Sequence, residues 1–413
     1  KWTALACLVL IICTLVPMAL FSIGCGGEEE PTENVTIVIG DLTDLTGPGA
    51  TAMKPISWAL ADYCNYVNEE GLCKGVTFKV VSYDTKYDPS RFMTGYEDLK
   101  SQGANIIFTG PPAMADAIKA RADIDQMPVI CASSTANMVD NPGYVFTLAV
   151  LDRYRVPFFL DWLNENDWEG TGPAKLGLVG YSMAPSPDVQ AAVQAYCPDN
   201  TDKYTLVGTT LVPMGTMTWS AEVQTYKDCD YLFIAANGAT MSSTFVEQYR
   251  AAGGKAKLIG SDAFNAYVGA VTDKAGWAAV DGSLTYGNWG YWTLESTEVD
   301  LIKELLEKNH PAEAATLMKV GSGAIGGGMD AHMCVLLLME VVKEIGADKM
   351  TGEGSGEAIY NALQEVTAEA PGYYPVNYPD GERQGARYIH VQRWSAADQT
   401  LNIITDWMEV PTD

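Results

Sequence analysis

The chain has 413 residues, of which 52 are acidic and 26 basic, for a formal net charge of -26. That length exceeds what one ordinary core organises, so two lobes are expected, while 47% hydrophobic and 19% charged residues exclude a disordered chain. A surface this acidic repels phosphate backbones and excludes nucleic acid as the natural partner, without naming another.

In chain order, the first feature is an apolar run over 4–23, behind Lys1 and broken by Thr14, Pro17 and Ser22. It ends at Gly24-Cys25-Gly26-Gly27 and an acidic spacer. A basic start, an apolar core and a small residue before the break describe an export signal. Residues 1–24 read as a lipoprotein signal peptide, with Cys25 as the lipidated residue and 25–34 as a tether. Ser22 stands where such signals usually carry Leu, and the run is long enough to span a bilayer, so an uncleaved anchor is the alternative. Either way the body is expected outside the cytoplasm, tied to a membrane.

Strand and helix signals then alternate. Strands are expected over 35–39, 76–83, 105–109 and 128–132, with helices over 53–69, 89–102 and 112–126 between them. A second series follows: helix 154–165, strand 175–179, helix 188–196, strand 204–211, strand 231–235, helix 240–252 and strand 257–259. Helices over 298–307, 329–345 and 354–365 and a strand over 387–394 complete the chain. This alternation implies an α/β protein of two doubly wound parallel-sheet lobes. Elements trailing two complete lobes imply that the chain crosses back between them. Past the signal, Cys64 and Cys73, and Cys197 and Cys229, are spaced so that each pair could bridge, although connectivity does not follow from sequence. Cys131 and Cys334 lie in apolar runs and read as buried thiols. No Cys/His cluster has metal-ligand spacing, and no cofactor motif is present.

Several segments together carry a family resemblance. They are Leu45-Thr46-Gly47-Pro48-Gly49-Ala50, Asn68-Glu69-Glu70-Gly71 with Lys74-Gly75, Asp84 ahead of Asp88-Pro89, Ile106 to Gly110, Met127-Pro128-Val129-Ile130, and the turn over 376–384. In this order and spacing the chain resembles the type I periplasmic solute-binding proteins, in particular the leucine/isoleucine/valine-binding branch, over nearly all of 35–394. The resemblance implies two lobes joined by three crossing segments, near 149–153, 282–286 and 385–387. Lobe one would be 35–150 plus 285–384, and lobe two 151–284 plus 385–413. It also implies a ligand clamped between the lobes, an ABC importer permease as partner and a monomeric protein.

Candidate ligand-binding residues follow from loops at strand ends, which face the cleft in open α/β sheets. Ser133, Ser134 and Thr135 resemble the loop that grips a ligand carboxylate, and equally suit a helix cap. Pro111 and Met114 occupy the stretch where the family has serines, a departure that argues against an ordinary α-amino acid or moves the anion contact to other groups. Asp262 aligns with the acid that pairs with a ligand amine, and it too is a good cap residue. Asn237 replaces an aromatic. Tyr286 and Trp289 belong to an aromatic run suited to a cleft wall or to interlobe packing, with Trp289 preferred. Ala52, Tyr181, Ala184 and Ser186 are candidates by position.

Catalysis is not expected. Gly180-Tyr181-Ser182-Met183-Ala184 opens like a nucleophile elbow but lacks the final Gly. His310, His332 and His390 sit in a helix-end run, an apolar helix and a strand, with nothing placing one near Ser182. Gly321 to Gly328 lacks the Lys-Ser/Thr ending of a phosphate loop. The expected function is therefore delivery of an amino acid, amide or small organic acid to an importer. The competing reading is a receptor subunit that binds the same kind of solute for a membrane sensor.

Overall fold

A computed structural model describes residues 34–236 and 238–412. The signal and the tether up to residue 33, Cys25 included, lie outside the described residues, as does Asn237.

The first lobe opens with strand β1 (Val35–Thr43), helix α1 (Ala50–Glu69), β2 (Val76–Asp84), α2 (Pro89–Ser101), β3 (Ile106–Thr109), α3 (Pro112–Asp125), β4 (Val129–Cys131), α4 (Ala136–Asp140) and β5 (Val145–Thr147). Its strands form one parallel sheet in the order β2-β1-β3-β4-β5. The two faces follow from the period of two along each strand. Ile106, Phe108, Ile130 and Phe146 join the core shared with α1. Their neighbours Ile107, Val129, Cys131 and Val145 join a second core with Phe92 and Leu99 of α2 and Ile118 of α3. Both faces are covered by helices, as a parallel sheet requires.

The second lobe contains α5 (Asp152–Asn166), β6 (Ala174–Tyr181), α6 (Ser186–Asp199), β7 (Tyr204–Val212), α7 (Ser220–Tyr226), β8 (Tyr231–Ala235), α8 (Ala239–Ala251), β9 (Lys257–Ser261), α9 (Asp262–Asn265), α10 (Val268–Ala275) and β10 (Leu284–Gly287). The chain then returns to pack on the first lobe with α11 (Thr297–Asn309), α12 (Pro311–Val320), α13 (Ser322–Ile345) and α14 (Ser355–Leu363), followed by the short pair β11 (Thr367–Ala368) and β12 (Val376–Asn377). It ends in β13 (Tyr388–Ser395), β14 (Thr400–Ile403) and β15 (Met408–Glu409). The second sheet runs β14-β13-β10-β9-β8-β6-β7, with β13 antiparallel to both β10 and β14. Because β10 pairs with β9 and β13, residues 284–287 belong to the second sheet, and the second crossing falls after Gly287 rather than within 282–286.

The three crossings are laced together. Thr147 N–H donates to the Arg383 carbonyl at 2.7 Å, and Gly385 N–H returns to Thr147 at 2.9 Å. Leu151 N–H donates to Gln384 Oε1 at 2.8 Å, and Asn288 Nδ2 donates to the Leu148 carbonyl at 3.3 Å. α13 is apolar and long enough to cross a membrane, but 89% of its most apolar window is buried, which makes it a core helix here. The six described cysteines outside the signal are free thiols, so the 64–73 and 197–229 pairings are not made.

Candidate functional site

A cavity of about 110 Å³ opens between the two sheets, at the carboxyl ends of the parallel strands where doubly wound folds bind ligands. Its first-lobe wall comes from α1 (Ala52, Met53, Ile56), the turn after β2 (Tyr87) and the loops after β3 and β4 (Gly110 to Pro112, Ala132, Ser133). The second lobe contributes Ala184 and Pro185, Ala236, and the segment from Asp262 to Tyr267. Trp289, just past β10, and Gly323, Gly327 and Asp330 of α13 close the remaining side.

The glycines of α13 let these parts meet. A Cβ on Gly326 would lie 2.3 Å from the Trp289 ring, and one on Gly327 would lie 2.0 Å from Ile56 Cγ1. Only a bare backbone admits the indole and the α1 side chain this closely. Tyr87 reaches the cavity through two successive left-handed residues, Lys86 (φ 55°) and Tyr87 (φ 54°). For a bulky side chain that conformation stores strain on the order of 1–3 kcal/mol. The turn is held by Asp84, whose carboxylate accepts from Leu45 N–H, the Thr46 hydroxyl and Lys86 N–H.

The charged groups form two separate arrangements. Arg155, 1% exposed, donates from Nε to Asp152 Oδ1 at 2.7 Å and from Nη1 to Asp262 Oδ2 at 2.9 Å, with its guanidinium 5.2 Å from the Tyr286 ring centre. Asp262 also accepts from Ala263 N–H through Oδ1 at 2.9 Å, so the side chain is fixed at the start of α9. On the opposite lobe Asp330, 3% exposed, accepts from the Tyr373 hydroxyl at 2.8 Å. No lysine or arginine among the described residues forms an ion pair with it. Burial raises the Asp330 carboxyl well above the usual range, and the neighbouring Asp262 charge adds to this. Burial likewise raises Asp152, against the opposing pull of Arg155.

The sequence profile of the periplasmic binding proteins matches residues 36–399. The chain belongs to this family. No curated protein sequence matches it significantly. Among solved structures it is similar to a branched-chain amino acid ABC transporter protein from Thermus thermophilus with bound valine, at 18% identity and a TM-score of 0.75, over 91% of this chain and 97% of that one. It is similar also to a fatty acid ABC transporter substrate-binding protein from Thermomonospora curvata, at 20% identity and 0.77, over 92% and 94%. A third is the solute-binding protein of an ABC transporter from Rhodopseudomonas palustris BisB5 in complex with 3,4-dihydroxy benzoic acid, at 18% identity and 0.72, over 92% and 98%. At these identities the likeness is one of fold, and the three proteins are named for unlike ligands.

In this binding protein the expected site residues divide. Ala52, Pro111, Ser133, Ala184, Asp262 and Trp289 line the cavity. Met114 does not: it is fully buried among α2 and α3 side chains, with its sulfur 3.8 Å from the Thr85 hydroxyl. Ser134 turns inward and donates to the Val150 carbonyl at 3.0 Å. Thr135 caps α4, accepting from Met138 N–H while its hydroxyl donates to Asp116 at 2.8 Å. Tyr181 stacks on Trp219 and donates to the Thr216 carbonyl at 2.8 Å, away from the cavity. Ser186 donates to the Ala235 carbonyl at 2.9 Å. Tyr286 is a strand residue beneath Arg155, its hydroxyl 3.2 Å from Asp152, so it supports the site without facing it. Sequence reasoning missed Asp330, Tyr87, Tyr267 and the α13 glycines. A lone acid inside an apolar helical run was the available signal for Asp330, since unpaired buried acids are rare.

The histidines of this binding protein are each engaged elsewhere. His310 pairs with Asp62 at 3.0 Å and stacks on Trp58. His332 pairs with Glu298 and stacks on Tyr63. His390 contacts Gln392 at 2.7 Å and stacks on Trp407, and burial pushes its imidazole down to about 3. Among the described residues no group of three His, Cys, Asp or Glu side chains is placed to hold a metal ion.

Proposed function

We propose that this protein captures a small organic solute between its lobes outside the cytoplasm and hands it, chemically unaltered, to the permease of an ABC importer. The observation that carries this reading is the cavity itself, walled by side chains of both lobes at the carboxyl ends of their strands. A ligand that touches both lobes favours the closed arrangement by its differential affinity for it. Family membership supports the same reading, as does the likeness to proteins of ABC transporters. Ala52, Ser133, Asp262 and Trp289 are the ligand contacts in this proposal. Cys25 is the lipid-bearing residue that tethers the monomer to the membrane.

The test is calorimetric titration of the purified protein against amino acids, amides, amines and aromatic acids, with small-angle scattering before and after ligand. Binding at one site per chain with a smaller radius of gyration supports the proposal. A scattering curve unchanged by a bound ligand, or steady turnover of any panel compound, refutes it. Mass spectrometry of the membrane-extracted protein tests the anchor, which predicts a diacylglyceryl adduct on Cys25.

A further inference from the structure

We infer that the solute of this cleft is a small organic cation of the ammonium class that carries no carboxylate of its own. This rests on the reading of the cleft as the solute site and names the chemistry that the site selects.

The charge inventory comes first. Among the described residues, the ionisable acids that line the cavity are Asp262 from one lobe and Asp330 from the other, and no lysine, arginine or histidine lines it. Arg155 lies behind Asp262, 1% exposed, with its guanidinium shared between two carboxylates and the face of Tyr286. It does not line the cavity. Asp330 is 3% exposed and accepts a hydrogen bond from the Tyr373 hydroxyl. A carboxyl buried without a counter-charge keeps its proton or takes a cation from outside. Burial, with the field of Asp262 added, raises that carboxyl against the opposing Tyr373 hydrogen bond and Arg155 charge, and an ammonium seated there would take the place of its proton.

The walls agree with the charges. Tyr87 of the first lobe, Tyr267 of the second and Trp289 beside the second crossing line the same cavity. Aromatic faces attract ammonium groups through their quadrupoles, more strongly when desolvated. Of the groups expected to cradle a carboxylate, Ser133 lines the cavity, and several others are missing or engaged. Pro111 and Pro112 offer no N–H at the start of α3, and the Ser134 and Thr135 hydroxyls are committed to Val150 and Asp116. Ala136 N–H is taken by Asp188 at 2.9 Å. A cavity of about 110 Å³ suits a compact ligand, below the roughly 150 Å³ of an engineered cavity that accepts benzene.

The experiment is calorimetric titration with tetramethylammonium, isobutylammonium, valine and isobutyrate, in wild type, Asp330→Asn and Tyr267→Leu. At least one ammonium probe is expected to bind about tenfold or more tighter than valine, with no heat from isobutyrate. Asp330→Asn, which keeps an acceptor for Tyr373, is expected to weaken the ammonium by about tenfold to a hundredfold. Tyr267→Leu tests the same site through its aromatic wall if the first variant folds poorly, with a loss of about tenfold. Valine or isobutyrate binding tighter than either ammonium overturns the cation class and leaves the cleft reading standing. Ammonium binding that neither variant alters overturns the assignment to this cavity. Silence from all four probes, with closure induced by some other solute, overturns the cation class alone, and silence with no closure by any solute overturns both.

Discussion

Adjacent glycines in α13 give opposite expectations for the same substitution. Replacing a helix-interior glycine by alanine stabilises by about 1 kcal/mol through backbone entropy and propensity. At Gly328 nothing opposes this gain. A Cβ there would meet Ala59 Cβ and Ile302 Cγ2 at 3.6 Å, an ordinary contact distance. Gly328→Ala should therefore stabilise by about 0.5–1 kcal/mol. At Gly327 the Cβ would stand 2.0 Å from Ile56 Cγ1 and 2.3 Å from its Cδ1. Ile56 is 7% exposed and sits between α13 and the cavity. It cannot retreat without leaving its rotamer or separating α1 from α13. Overpacking of this kind costs about 1–3 kcal/mol, which outweighs the propensity gain. Gly327→Ala should thus destabilise by about 1 kcal/mol and lie about 2 kcal/mol below its neighbour. Urea unfolding of the two variants, compared at equal slope, measures that gap directly. Equal stabilisation by both substitutions would mean that the α1–α13 contact yields at no cost, and the close packing would lose its role in shaping the cavity.

Two other perturbations follow from the buried charges. Asp262→Ala strips Arg155 Nη1 of its 2.9 Å partner and leaves Asp152 as the remaining counter-ion. Breaking a buried pair costs about 3 kcal/mol. With an unfolding entropy of about 2.1 cal/mol/K per residue over roughly 380 residues, that lowers Tm by about 4 °C with no ligand present, and an unshifted melt would show that Asp152 alone satisfies the arginine. Burial raises the Asp41 carboxyl from 3.8 to about 6. The folded state therefore prefers the neutral acid, and this preference weakens the fold as pH climbs from about 4 to 6, because the unfolded chain ionises first. Asp41→Asn removes that loss, so its stability relative to wild type should rise by about 3 kcal/mol between pH 3.5 and 6.5, and a pH-independent difference in denaturant midpoints would refute the assignment.

The β–α alternation was legible because parallel strands buried on both faces and their covering helices leave strong, different periods. β1, β3 and α2 fall within a few residues of expectation. What escaped reading depended on partners distant in sequence. Residues 322–328 lie outside the helix expected over 329–345, because four glycines disfavour a helix, yet they form the first turns of α13. Their value lies in the missing Cβ atoms opposite Ala52, Ile56 and Trp289, a contact that sequence alone does not show. Tyr286 looked like a cleft wall until pairing with β9 and β13 placed it inside the sheet. The loop of Ser134 and Thr135 suits ligand hydroxyls or a helix cap, and in the fold Thr135 caps α4 and bonds Asp116 while Ser134 serves the backbone. Asp262 was found by position, but its tie to Arg155, more than 100 residues earlier, was not.

The placement of one acid on each lobe bears on how capture and closure are coupled. Asp262 is anchored to the second lobe by Arg155 and Ala263 N–H, and Asp330 to the first by Tyr373. Neither can swing away when the lobes approach, so closing an empty cleft brings two carboxyl groups toward each other in a medium of falling dielectric. The interaction of like charges grows there, since it scales inversely with both distance and effective dielectric. One acid escapes by holding a proton, in line with the upward shift of Asp330. A neutral apolar solute leaves that proton in place and gains only burial from closure. A cation removes it, because its attraction to both acids strengthens by the same scaling that made them repel. The ligand's preference for the closed state then arises from the anchored acids, and it is this difference in affinity, rather than tight binding as such, that shifts a two-state equilibrium.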